Sequence, residues 1–75
     1  MPENVLDARG LNCPLPILKA SKALKRLRAG KTLRILATDP GSVADFQDLC
    51  RVTRNELVES KQEGESYSFL IKRLG

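Results

Sequence analysis

The chain has 75 residues, with 13 Lys and Arg against nine Asp and Glu, for a formal net charge of +4. It has no histidine and only two cysteines, Cys13 and Cys50, which excludes Cys-His hydrolases, histidine metal sites and four-cysteine zinc sites. One small domain over 1–75 is expected; with no basic-apolar leader at Met1-Pro2-Glu3-Asn4 and no membrane-length apolar run, so is a cytoplasmic, membrane-free protein with free thiols.

Asn4 to Arg9 has the pattern of a short strand, with Val5, Leu6 and Ala8 apolar, Asp7 a strand-end polar group and Gly10 closing it. Gly10-Leu11-Asn12-Cys13-Pro14-Leu15-Pro16 then turns extended chain into helix. Proline is tolerated in the first helical turn, where its missing amide would have had no partner, and breaks the ladder further in. Pro14 and Pro16 therefore mark the start of a helix running to about Arg28, with an inner stripe of Ile17, Ala20, Ser21, Leu24 and Leu27. Cys13 falls at or just before that start. The positive end of the helix dipole would stabilise a thiolate there and lower the thiol pKa, although only Leu15 and Ile17 keep amides to offer the sulfur.

The outer side of this helix carries Lys19, Lys22 and Arg26, with Leu15 and Leu18 among them. The cations are either a docking surface for an acidic protein or RNA, or a solvated face. The two leucines are either an apolar contact patch beside the thiol or, for Leu18, packing on a second helix.

Ala29-Gly30 ends the helix, and Thr32 to Thr38 alternates as a strand with Leu33, Ile35 and Ala37 on one face. Asp39-Pro40-Gly41-Ser42 is a turn into a helix over about Val43 to Thr53, whose stripe of Val43, Phe46, Leu49, Cys50 and Thr53 makes Cys50 a buried, inert thiol. Asp45 and Asp48 lie outside that stripe, and a pair of carboxylates is too little for a metal site. Glu56 to Lys61 and Ser66 to Arg73 form a hairpin about Gln62-Glu63-Gly64-Glu65, with either face of Tyr67, Phe69, Ile71 against Leu70 able to point inward. The order β-α-β-α-β-β predicts an α/β two-layer sandwich: a four-stranded mixed sheet with two helices packed on one face and the other face open.

The run Leu6 to Pro16, with Ala37 to Ser42, Asp45-Phe46 and the hairpin, resembles the TusA (SirA-like) sulfur-carrier family, whose mark is Cys-Pro-x-Pro at a helix start. The resemblance implies the same two-layer fold and a sulfurtransferase role. Cys13 would take a persulfide from a cysteine desulfurase or rhodanese-type donor and pass it to an acceptor protein. Gly10, Pro14 and Pro16 would form its structural setting, and Leu15, Leu18, Lys19, Lys22 and Arg26 a candidate docking face. No cofactor beyond the covalent persulfide, no metal and no direct nucleic-acid binding are implied. Leu15 stands where members serving tRNA thiolation often carry an acidic residue; relatives with Leu there occur in dissimilatory sulfur oxidation and molybdenum-cofactor settings, and the pathway stays open among the three. The alternatives are a non-catalytic regulatory or RNA/protein-binding module, and a thiol redox protein using Cys13 and Cys50.

Overall fold

The computed structural model describes residues 4–75, so the leader reading at Met1-Pro2-Glu3 lies outside the described residues. The elements are β1 (Asn4–Ala8), α1 (Leu15–Arg26), β2 (Thr32–Ala37), α2 (Ser42–Thr53), β3 (Glu56–Glu63) and β4 (Ser66–Lys72). The sheet order is β1-β2-β4-β3, with β1 parallel to β2 and the other pairs antiparallel. Ala8, Leu33, Ile35, Ala37, Phe69 and Ile71 of the sheet pack with Ala20 and Leu24 of α1 and Phe46 and Cys50 of α2, which places both helices on one face.

Alternation sets which sheet residues point inward, and register joins them. Leu33 pairs with Ile71 and Ile35 with Phe69, so the Tyr67/Phe69/Ile71 side is the inner one, and Leu70 shares the outer face with Arg34. Ala8, Ala20 and Ala37 are fully buried; their small side chains let the helices lie close to the strands. Phe46 of α2 fills the remaining space, its ring centroid 4.7 Å from that of Phe69. On the outer face, a bulge between Leu57 and Glu59 turns Glu59 outward, where it accepts a hydrogen bond from Arg34 at 3.0 Å. Asp7 is exposed at the end of β1, its carboxyl lowered to about 2 chiefly by the hydrogen bond from the Arg9 side chain.

Two boundaries differ by two residues from the sequence reading, and the other element ends agree with it to within one. α1 stops at Arg26, because Leu27 adopts an extended conformation (φ −80°, ψ 148°). The Arg73 guanidinium meets the freed helix end, donating to the carbonyls of Leu24 (3.0 Å), Lys25 (2.9 Å) and Leu27. A cation there satisfies orphan carbonyls and complements the negative end of the dipole. The hairpin turn is tighter than expected, with β3 reaching Glu63 and Gly64 supplying the positive φ of 61°.

Removing the clip by Arg73→Ala is expected to lower unfolding stability by about 1.5–3 kcal/mol, the range for a charged hydrogen bond, as read by urea titration. Cys50 is 5% exposed and burial pushes its thiol pKa up. Cys50→Ser places a hydroxyl in that site at a cost of about 1–3 kcal/mol. In the native protein Cys50 should stay unreactive toward a thiol reagent that titrates it at once in denaturant.

Candidate functional site

The site forms where the two parallel strands end. Pairing of Ala8 with Ala37 sets the C-terminal ends of β1 and β2 side by side, so the loops that follow them share one edge of the sheet. The first loop turns through Gly10, whose φ of +82° favours glycine although a Cβ would meet nothing within 4 Å. Its N–H donates to Thr38 Oγ1 at 2.9 Å, tying one loop to the other. Pro14 caps α1 and Pro16 lies buried in its first turn, as their chemistry requires. The Cys13–Pro14 peptide is cis. Cys13 is exposed one residue before the cap.

The second loop braces the first. Cys13 N–H donates to Asp39 Oδ2 at 3.0 Å, and Gly41 N–H donates to Asp39 Oδ1 at 3.1 Å. One turn into α2, Asp45 N–H donates to the Gly41 carbonyl, bringing the Asp45 side chain to the same place. The Cys13 sulfur and carboxylate oxygens of Asp39 and Asp45 all lie within 4.8 Å of one another.

This surrounding reverses the expected electrostatics of the thiol. The Cys13 pKa is raised, chiefly by the Asp45 carboxylate close to its sulfur, then by partial desolvation and by the charges of Asp45 and Asp39. The lowered pKa expected at a helix start does not occur. Residues 14 and 16 are prolines without amides, and the Leu15 amide is spent on the Asn12 carbonyl at 2.9 Å. Two carboxylates then outweigh what remains of the dipole. Asp45, read from the sequence as an off-stripe carboxylate and as part of the family resemblance but not as a site residue, thus belongs to the site. A signal was available: it lies in the first turn of a helix that begins just past β2.

Among the described residues, Cys13, Asp39 and Asp45 form the one group of three metal-type donors. Three donors fall short of a closed four-ligand zinc set, and both Asp39 oxygens already accept amide hydrogens, so we take them as the thiol's electrostatic surroundings. Beside the thiol an open depression of about 360 Å³ runs between the helices, walled by Pro14, Ile17, Leu49 and Val52 with Asp45 and Asp48.

Leu15 and Leu18 are 46% and 51% exposed, which overturns packing of Leu18 on the second helix and leaves both on the surface near the thiol. Lys19, Lys22 and Arg26 are exposed on α1 and line none of the depression. Cys50 is on the core side of α2, away from the surface that Cys13 occupies. No helix among the described residues is long and apolar enough to cross a membrane.

Comparison with known proteins agrees with this architecture. A SirA-like protein of Desulfitobacterium hafniense, solved by crystallography, superposes with a TM-score of 0.83 at 25% identity, covering 95% of this chain and 97% of that one. The sulfur carrier protein TusA of Allochromatium vinosum is 57% identical over 68 residues, 91% of this chain and 90% of its own length. The family model described as Sulfurtransferase TusA matches residues 4–73. By this match and that identity, both running over nearly the whole chain, the chain belongs to the TusA family.

Proposed function

We propose that the protein is a sulfur carrier that holds sulfur as a persulfide on Cys13. The observation that carries this reading is an exposed, free thiol at the rim of an apolar-walled depression, in a chain whose other thiol is buried. In loading, the Cys13 thiolate attacks the outer sulfur of a donor persulfide. The donor S–S bond breaks, its inner sulfur leaves as thiolate, and Cys13 keeps the outer sulfur as Cys–S–SH. In delivery an acceptor thiolate attacks that outer sulfur and Cys13 leaves as thiolate. A neighbouring thiol would discharge the persulfide as a disulfide, and burial keeps Cys50 from doing so.

The donor on this reading is a cysteine desulfurase or rhodanese-type protein and the acceptor a second protein, in sulfur oxidation, tRNA thiolation or molybdenum-cofactor supply. A reducing cytoplasm suits a carrier that must return to the free thiol. With no histidine in the chain, proton donors and acceptors beyond Asp39 and Asp45 come from the partner. The rival readings have less support. Phe46 and Phe69 are core residues and Tyr67 lies on the inner face of β4, so α1 offers no aromatic platform for bases. A Cys13–Cys50 redox pair would have to reach a buried sulfur five residues past Asp45 on α2, roughly 7.5 Å further along the helix axis.

Incubation with a persulfide donor should add one sulfur, about 32 Da, and Cys13→Ser should abolish the addition while Cys50 remains protected. Equal loading of Cys13→Ser would end the carrier reading.

The exposed cations of α1 generate a second expectation. A donor protein must cover the surface around Cys13, and charge beside it speeds encounter more than it holds a complex. Lys19→Glu/Lys22→Glu should slow loading by a partner protein several-fold at low salt, with the difference shrinking as salt rises. Loading by a small neutral persulfide should be unchanged. Equal slowing with both donors would mean that the lysines tune the thiol and do not dock a partner.

A further inference from the structure

Asp45 stands apart from the other acids near the thiol. Asp48 is paired with Arg51 at 3.1 Å, and Asp39 is held by two amide hydrogens. Among the described residues no lysine or arginine forms an ion pair with Asp45 or Asp39. The groups facing Cys13 are Asp39 from the β2–α2 loop and Asp45 from α2, with Asp48 along the same wall, and α1 contributes only Pro14 and Ile17 to the depression. A molecule of net charge +4 thus sets two carboxylates, neither in an ion pair with a lysine or arginine among the described residues, within 4.8 Å of its exposed thiol sulfur.

We propose that this arrangement is a charge gate: the Asp45 carboxylate holds the Cys13 proton until a partner seats a lysine or arginine against Asp45 and Asp39, and that cation frees the thiolate. The identity of the partner as a sulfur donor or acceptor rests on the carrier reading; the gate itself rests on the site geometry. With the gate closed, thiolate beside two carboxylates is disfavoured and stray electrophiles react slowly. With a cation seated, the same carboxylates are neutralised, and Ile17, Leu49 and Val52 offer apolar contact to the segment that bears it. The gate acts on both transfers. Loading needs Cys13 as an attacking thiolate, and delivery needs it as a leaving thiolate, which goes faster when its pKa is low.

Small disulfides of different charge test this without a known partner. The Cys13 thiolate attacks one sulfur of the reagent, the reagent S–S bond breaks, half stays on Cys13 as a mixed disulfide and half leaves as a thiol that takes up the proton. Cystamine (cationic), 2-hydroxyethyl disulfide (neutral) and 3,3′-dithiodipropionate (anionic) are compared at low salt and followed by intact mass. The wild type should react in that order, cystamine about fivefold faster than the neutral reagent, as unit charges roughly 4 Å apart in water would give. Because the three leaving thiols differ in pKa, and the lower leaves faster, each rate is divided by that of a small free thiol with the same reagent, and the order and the fivefold ratio refer to these normalised rates. The net charge of the molecule favours the opposite order, so the normalised one is a local signature.

Asp45→Asn should narrow the order and lower the pH midpoint of Cys13 alkylation by neutral iodoacetamide. Each unit of that drop raises the neutral-pH rate by about threefold, because a tenfold gain in thiolate is partly offset by weaker nucleophilicity. Asp45→Glu should restore both readouts, and Asp48→Asn, removing equal charge from the same helix, should move them less. Protection of Cys50 reports that each variant is folded. An unchanged midpoint and unchanged order in folded Asp45→Asn, or a wild type that prefers the anionic reagent, would overturn the gate. Charge preference without persulfide loading would uphold the gate and remove the carrier; loading without charge preference would uphold the carrier and overturn the gate.

Discussion

Parallel pairing of β1 with β2 is the constraint from which the site follows. Parallel strands put both C-terminal ends on one edge, and the chain between them must cross back over the sheet as a helix. The register that pairs Ala8 with Ala37 makes the two loops neighbours, and the hydrogen bonds Gly10 to Thr38 and Cys13 to Asp39 hold them together. An antiparallel arrangement of the same two strands would have sent these loops to opposite edges. The buried alanines that allow the crossover helix to settle on the strands thus serve the thiol indirectly, by fixing where α1 begins.

The chemistry of a carrier differs from that of a catalyst. An enzyme nucleophile benefits from a permanently low pKa, whereas a carrier travels between partners and must not react on the way. An exposed thiol held beside carboxylates suits the second task. A leaving group of high pKa also departs slowly, so a persulfide on such a cysteine is retained longer than one on an activated thiol. On the proposed gate the same surroundings would slow capture and slow loss, and both rates would become properties of the complex with a partner.

Charge is divided over the surface in a way that separates approach from contact. The cations of α1 lie on an exposed helix face outside the depression, while the acids surround the sulfur. Long-range attraction falls off within about a Debye length of 8–10 Å and is governed by the broad distribution of charge. Contact at the thiol is governed by the few groups within hydrogen-bond reach. On the proposed gate, a partner drawn by the helix cations would still have to bring a charge of the opposite kind to the sulfur.

Periodicity alone determined the order of elements, the inner stripes of both helices except Thr53, which is exposed at the end of α2, and the buried state of Cys50, because an apolar residue every three to four or every two positions is a local record of which side faces the core. The proline pair likewise marked the start of α1, since a missing amide constrains its own turn whatever the rest of the chain does. The inner face of β4 needed register, as Phe69 and Leu70 are equally apolar until Ile35 pairs with one of them. The end of α1 needed Arg73, which reaches its carbonyls from far along the chain. The state of the thiol needed tertiary structure most of all. Its local sequence predicts a helix dipole and a lowered pKa; Asp39, separated from Cys13 by 26 positions, and Asp45 beyond it raise the pKa. Charges act through space, and only the folding of β1 beside β2 brings these to the sulfur.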